Sequence, residues 1–184
     1  MRNGLRRLRL AGLTAALLLL PILAGPSLAA QDLGPVSKLP VPRYVSLKTD
    51  RVNLREGPSK DHRTTWVFQR AGLPVEIVAE FETWRRIRDA EGTEGWVLHS
   101  LLSGRRTALV MPWAKNQTQP IALLARADER ADTVARLQTN VIVNVRSCSG
   151  TWCRVVVVLP GTRDVDGFMR QDRLWGVYPN EKFD

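Results

Sequence analysis

From Tyr44 onward the chain alternates between short apolar runs and clusters of turn-forming residues. The runs YVSL, RVNLR, TTWVF, PVEIVAE, TWRRIRD, GWVL and RTALV are each 4–7 residues long, and TD, EGPSKD, RAG, FE and AEGTE separate them. Segments this short, rich in β-branched and aromatic residues and bounded by Gly, Pro and Asp, predict strands of an all-β barrel or sandwich. This half of the chain has no apolar spacing of helical period over a dozen residues. Alternation along TWRRIRD predicts Trp84, Arg86 and Arg88 on one face of a strand and Ile87 on the other, with Val75 and Ile77 sharing its core. Gly95, just before Trp96, predicts a close backbone approach at a strand start.

The second half repeats the first. At a constant offset of 68, Val75 meets Val143, Ile77 meets Val145, Trp84 meets Trp152, Arg86 meets Arg154 and Ile87 meets Val155. Further on, GWVLHSLL from Gly95 answers GFMRQDRL from Gly167 at an offset of 72. Such self-similarity predicts two copies of one unit. The boundaries expected are a first barrel over 44–110, a linker over 111–119 (beginning MPWAKNQTQ), a second, divergent barrel over 120–178, and a tail over 179–184. Trp113 in the linker and Trp175 late in the second unit are candidates for an interface between the barrels.

Upstream of Tyr44 the pattern is different. Residues 2–9 carry four arginines and no acid, a 16-residue apolar run follows, and Ser27 and Ala29 stand at signal-peptidase spacing. This reads as a secretory signal peptide over residues 1–29. The run holds Pro21 and is short against the ~20 residues of a spanning helix, so a membrane is expected only through an uncleaved leader. A periplasmic or secreted protein follows from that reading. Residues 30–43, with three prolines, predict an extended linker or an arm lying over a domain.

Charge and side-chain chemistry narrow the function. The leader holds four of the 27 basic residues and none of the 18 acidic ones, which leaves the remainder at +5. That charge is spread along the chain, not gathered on one element, which argues against nucleic acid. Two cysteines, Cys148 and Cys153 in CSGTWC, suit facing positions of a hairpin and predict a disulfide staple in an oxidising compartment. Two cysteines without nearby histidines make half a zinc site, so no metal is expected, and no cofactor. The only histidines, His62 and His99, lie in the other half, and no spacing pairs either with a nucleophile. No Gly-rich loop follows a strand and opens a helix. An enzyme is not expected.

VNLREGPS, GLPVEI, W-x-R-I-R, EGTEGWV and a terminal LL together resemble the bacterial Src-homology-3-like domain family. The second unit is similar but divergent, with LLARADE in place of NLREGPS and Phe168 in place of the tryptophan after glycine. The resemblance implies two tandem SH3-like β-barrels, each a small barrel of about five strands, of the kind found in exported proteins of Gram-negative bacteria. It also implies a non-catalytic binding module for peptidoglycan or another envelope polymer, or for a periplasmic protein as partner or scaffold, or more remotely an accessory to a cell-wall hydrolase. Aromatic faces would cover sugars or peptides, and arginines would pair with stem-peptide carboxylates. On that reading the ligand-binding candidates are Arg55, Glu56, Trp66, Trp84, Arg86 and Arg88 in the first unit and Trp152 and Arg154 in the second. Eukaryotic relatives grip proline-rich peptides beside a tryptophan at the place of Trp84. Their groove tyrosines are missing here, where only Tyr44 and Tyr178 occur. The chain's own KLPVPR segment could occupy such a groove in cis.

Overall fold

A computed structural model of the protein describes residues 32–114, 116 and 118–184. The signal-peptide expectation lies outside these residues. What is described is all-β, with two curled antiparallel sheets, each wrapped around its own core.

The first sheet comprises β1 (Arg43–Leu47), β2 (Val52–Arg55), β3 (Thr64–Phe68), β4 (Pro74–Phe81), β5 (Trp84–Arg88), β6 (Glu94–Leu98) and β7 (Leu102–Ser103), in the order β3-β2-β6-β5-β4-β1-β7. The second comprises β8 (Thr107–Val110), β9 (Ile121–Leu124), β10 (Thr133–Leu137), β11 (Ile142–Ser149), β12 (Trp152–Val157), β13 (Val165–Arg170) and β14 (Leu174–Trp175), in the order β10-β9-β13-β12-β11-β8-β14. The two orders correspond strand for strand. A short β15 (Lys182–Phe183) adds to β11.

Register carries the correspondence to single residues. Ile77 faces Ile87 in the first sheet and Val145 faces Val155 in the second, and a bulge follows both Ile77 and Val145. Arg86 faces Trp96 as Arg154 faces Phe168. Gly95 has the expected close approach: a Cβ there would meet Leu54 Cγ at 2.6 Å and the Arg55 carbonyl at 2.9 Å. Gly167 repeats it against Leu123 Cγ at 2.7 Å and the Leu124 carbonyl at 2.8 Å. Any side chain there would push β6 off β2, or β13 off β9.

Three expected boundaries are corrected. RTALV does not close the first barrel: β8 pairs with β11 and β14, so it opens the second. The expected linker is therefore not one: the chain after β8 leads into β9 of the same barrel, and the link between barrels is only Gly104–Arg106. The tail is not loose, because β15 pairs Phe183 with Cys148 and Lys182 with Ser149. The cause is the same in each case. An apolar run declares that a strand exists but not which sheet it completes, and that depends on the partner edge left free.

The cores follow the alternation. Val45, Leu47, Val52, Leu54, Phe68, Val75, Ile77, Ile87 and Val97 fill the first. The second packs around Leu123, Val143, Val145, Val155, Met169 and the cystine Cys148–Cys153, which is formed as expected.

The two barrels are locked together. The Tyr44 ring lies 5.2 Å from that of Trp175, edge-on, and 4.7 Å from that of Tyr178. The Tyr178 hydroxyl donates to Glu76 Oε1 at 2.9 Å, while Arg88 donates to Glu76 Oε2 at 2.6 Å. Burial pushes the Tyr44 phenol up to about 12, and the Glu76 carboxylate adds to it. The Tyr178 phenol is also pushed up, by burial and then by its bond to Glu76. Arg70 closes the far side by donating to the Asn140 carbonyl at 3.1 and 3.2 Å. Of the two expected interface tryptophans, Trp175 is there. Trp113 is not; it is 53% exposed on the β8–β9 loop and lines a concavity with Leu174, Val177 and Pro179 of its own barrel.

Candidate functional site

The loop between β2 and β3 builds the first barrel's site. Arg55, at the end of β2, donates from Nη1 to the carbonyls of Lys60 at 2.9 Å and His62 at 2.7 Å, which ties the loop back onto its own strand. Glu56 is held by Arg63 across the same loop, and that bond keeps its carboxyl below the usual range. Both residues thus shape the loop rim, with their charged groups already engaged.

Beneath this rim is a concavity of about 280 Å³ lined by Arg51, Asn53, Arg55, Lys60, Trp84, Leu98 and Leu101. Trp84 lies on the face of β5 opposite Ile87, as the alternation predicts, and is nonetheless 7% exposed. It is a buried wall of the concavity, not an open platform. Among the described residues, Arg51 and Lys60 make no ion pair and their side chains no hydrogen bond, so two unengaged cations stand over an apolar wall.

The other arginines proposed from sequence are occupied. Arg86 pairs with Glu94 at 2.9 Å, and Arg88 with Glu76 at 2.6 Å and Glu94 at 3.7 Å. In the second barrel Arg154 makes a two-pronged contact with Asp166 at 2.9 and 2.8 Å. Trp152 has the Arg170 guanidinium 6.0 Å from its ring centre. Trp66 is 58% exposed on the edge strand β3. Its counterpart in register is Ala135. The structure therefore gathers Arg55 and Trp84 in one place and disperses the rest.

Sequence reasoning missed Glu80. Period two from Ile77 puts Ala79 inside, but the bulge after Ile77 puts Glu80 there, opposite Arg85. The arm then closes over it. Its chain doubles back, with Gly34 N–H on the Leu39 carbonyl and Val41 N–H on the Asp32 carbonyl. The Glu80 carboxylate, with its side chain fully buried, accepts from Ser37 Oγ at 2.6 Å, Ser37 N at 2.8 Å, Val36 N at 3.1 Å and Arg43 Nη2 at 2.8 Å. Arg85 Nε is 3.4 Å away. Burial works to raise this carboxyl, but the bonds from Ser37 and Arg43, with Arg85 beside them, outweigh it and hold it at about 2. The KLPVPR segment is thus part of a strap fastened on Glu80, not a ligand of the Trp84 concavity.

Residues 48–104 match the family model described as bacterial SH3 domain. The match runs from the turn after β1 through β7 and so covers the concavity entirely. This part of the chain belongs to the bacterial SH3 family. Domains of this family are typically non-catalytic binding modules. No curated protein matches the chain. The second barrel lies outside the SH3 match and shares its strand order with the SH3 domain.

Proposed function

We propose that the protein is an exported binding module whose SH3 domain recognises peptidoglycan or a related anionic polymer of the cell envelope. The observation that carries this reading is the Trp84 concavity with two unengaged cations, Arg51 and Lys60, on its rim. Most other arginines of the SH3 domain are matched to a glutamate, so these two cations remain for an incoming carboxylate. Asn53 supplies an amide for a peptide or acetamido group, and Trp84, Leu98 and Leu101 supply apolar cover. Export rests on the signal-peptide pattern of residues 1–29.

A second reading, a periplasmic protein partner, is favoured by Trp66. A tryptophan 58% exposed on an edge strand is what strand addition by another chain would cover.

Co-sedimentation of the leaderless protein with purified sacculi separates these. Retention that survives moderate salt and drops at least fivefold in Arg51→Ala with Lys60→Ala supports polymer recognition by the concavity. Retention lost to salt alone overturns it, since screened surface charge would explain everything. Absence of retention moves the reading to a protein partner, to be captured by crosslinking from position 66.

A further inference from the structure

The seam between the barrels holds a second set of unmatched cations. One concavity of about 310 Å³ is lined by residues of both barrels, among them Lys48, Arg105, Thr107 and Asn144. A second, of about 520 Å³, shares Arg105 and Asn144 with it and adds Arg106 and Arg146. Lys48 comes from the turn after β1, Arg105 from the link between barrels, and Arg146 from β11. All three are exposed, and among the described residues none has a side-chain hydrogen bond or ion pair. Asn144 likewise uses its side-chain amide on no other group.

Two buried donors in the same place are also left over. Thr107, 2% exposed, has a hydroxyl oxygen with no hydrogen-bond partner. Arg106 holds Glu181 at 2.8 and 3.0 Å and the Gly176 carbonyl at 3.1 Å, yet its buried Nε is unpartnered. A buried donor without an acceptor costs free energy, and so do like charges placed side by side. One carboxylate that is not already bound lines the two concavities, Asp184 on the outer rim. Several arginines elsewhere in the two barrels are met by carboxylates: Arg86 by Glu94, Arg88 by Glu76, Arg154 by Asp166. At the seam unpaired cations and donors converge, and Asp184 is the one free carboxylate lining it among the described residues.

We propose that the seam is a second binding site, for a multiply charged oxyanion, whose cations are contributed by both barrels. Phosphate groups and clustered carboxylates share the required chemistry. Either would place its oxygens at Arg105 and Asn144, which line both concavities, with Lys48 lining the first and Arg146 the second. The site exists only while the barrels are docked, which gives the Tyr44–Trp175–Tyr178 contact a role beyond stability. It is separate from the Trp84 concavity and does not depend on what that concavity binds.

The experiment is a titration of the isotope-labelled protein with pyrophosphate in one arm and citrate in the other, followed by amide shifts. Saturable shifts confined to Lys48, Arg105–Thr107, Asn144 and Arg146 are expected, with affinity at least tenfold lower in Arg105→Gln with Arg146→Gln. Arg126→Gln with Arg130→Gln, which removes two exposed cations from the β9–β10 loop, should bind as the parent does. The tighter probe identifies phosphate or carboxylate as the natural group. Shifts spread over the surface, equal weakening in both double variants, or no saturation with either probe overturn the proposal.

Discussion

The hairpins β4–β5 and β11–β12 have the same register and bulge, yet they solve the same position differently. Where the second barrel places Cys148 opposite Cys153, the first places Glu80 opposite Arg85. Both pairs point inward at the end of the barrel, and each is capped by a segment from a different end of the chain. The arm caps Glu80, and β15 caps Cys148. A bulge that turns an extra residue inward demands something that tolerates burial. The cystine does so by being apolar. The carboxylate does so only because the arm brings it two backbone N–H groups, a hydroxyl and a guanidinium. The lesson is that Glu80 is a socket: it fastens the arm to the SH3 domain, whereas the cystine fastens the hairpin to itself.

Removing the socket is the strongest way to break this comparison. Glu80→Ala leaves Arg85, 6% exposed in its side chain, without its partner, and strips the arm of its acceptor. Loss of one partner of a buried pair typically costs about 3–5 kcal/mol. An unfolding free energy, measured with urea, that falls by less than about 1 kcal/mol would mean the arm and Arg85 find other acceptors.

Acid should release the same contact without a mutation. The Glu80 carboxyl is held at about 2 in the fold, below its ordinary 4.5, so its contribution is present in full above that ordinary value and declines as the pH falls toward 2. The difference corresponds to roughly 3 kcal/mol. The amide signals of Val36 and Ser37 should shift over this window, and those of Cys148 and Cys153 should not. Simultaneous movement of all four would mean global acid unfolding and no separate socket.

A transplant sharpens the comparison at smaller cost. In Glu80→Cys with Arg85→Cys the facing register should form a disulfide, as it does at Cys148–Cys153 with a sequence separation of 5. Closing so short a loop contributes about 2 kcal/mol over the reduced form. The oxidised protein should keep the SH3 domain folded while the arm's Val36 and Ser37 amides lose protection. Free thiols after oxidation would show that the two hairpins are not equivalent in register.

Much of this protein follows from its sequence. Period two and turn chemistry place the strands. The repeat at offsets 68 and 72 aligns pairs that the two sheets reproduce, and the spacing of CSGTWC fits the cystine. These are local properties, written in neighbouring residues, and local sterics enforce them. Trp84 is legible as a residue of the outer face but not as buried, because the residues that share its concavity, Arg55 of β2 and Lys60 of the loop after it, are distant in sequence.

Tertiary structure alone decided the rest. It assigned RTALV to the second barrel, since strand membership depends on which edge is unpaired. It buried Glu80, since a bulge reverses the alternation that sequence reading assumes. It brought Lys48, Arg105 and Arg146 to one seam, because residues so far apart in the chain become neighbours only when two finished barrels dock. Alternation and turns act over a few residues; edges, bulges and docking act across the whole fold, and no window of sequence contains them.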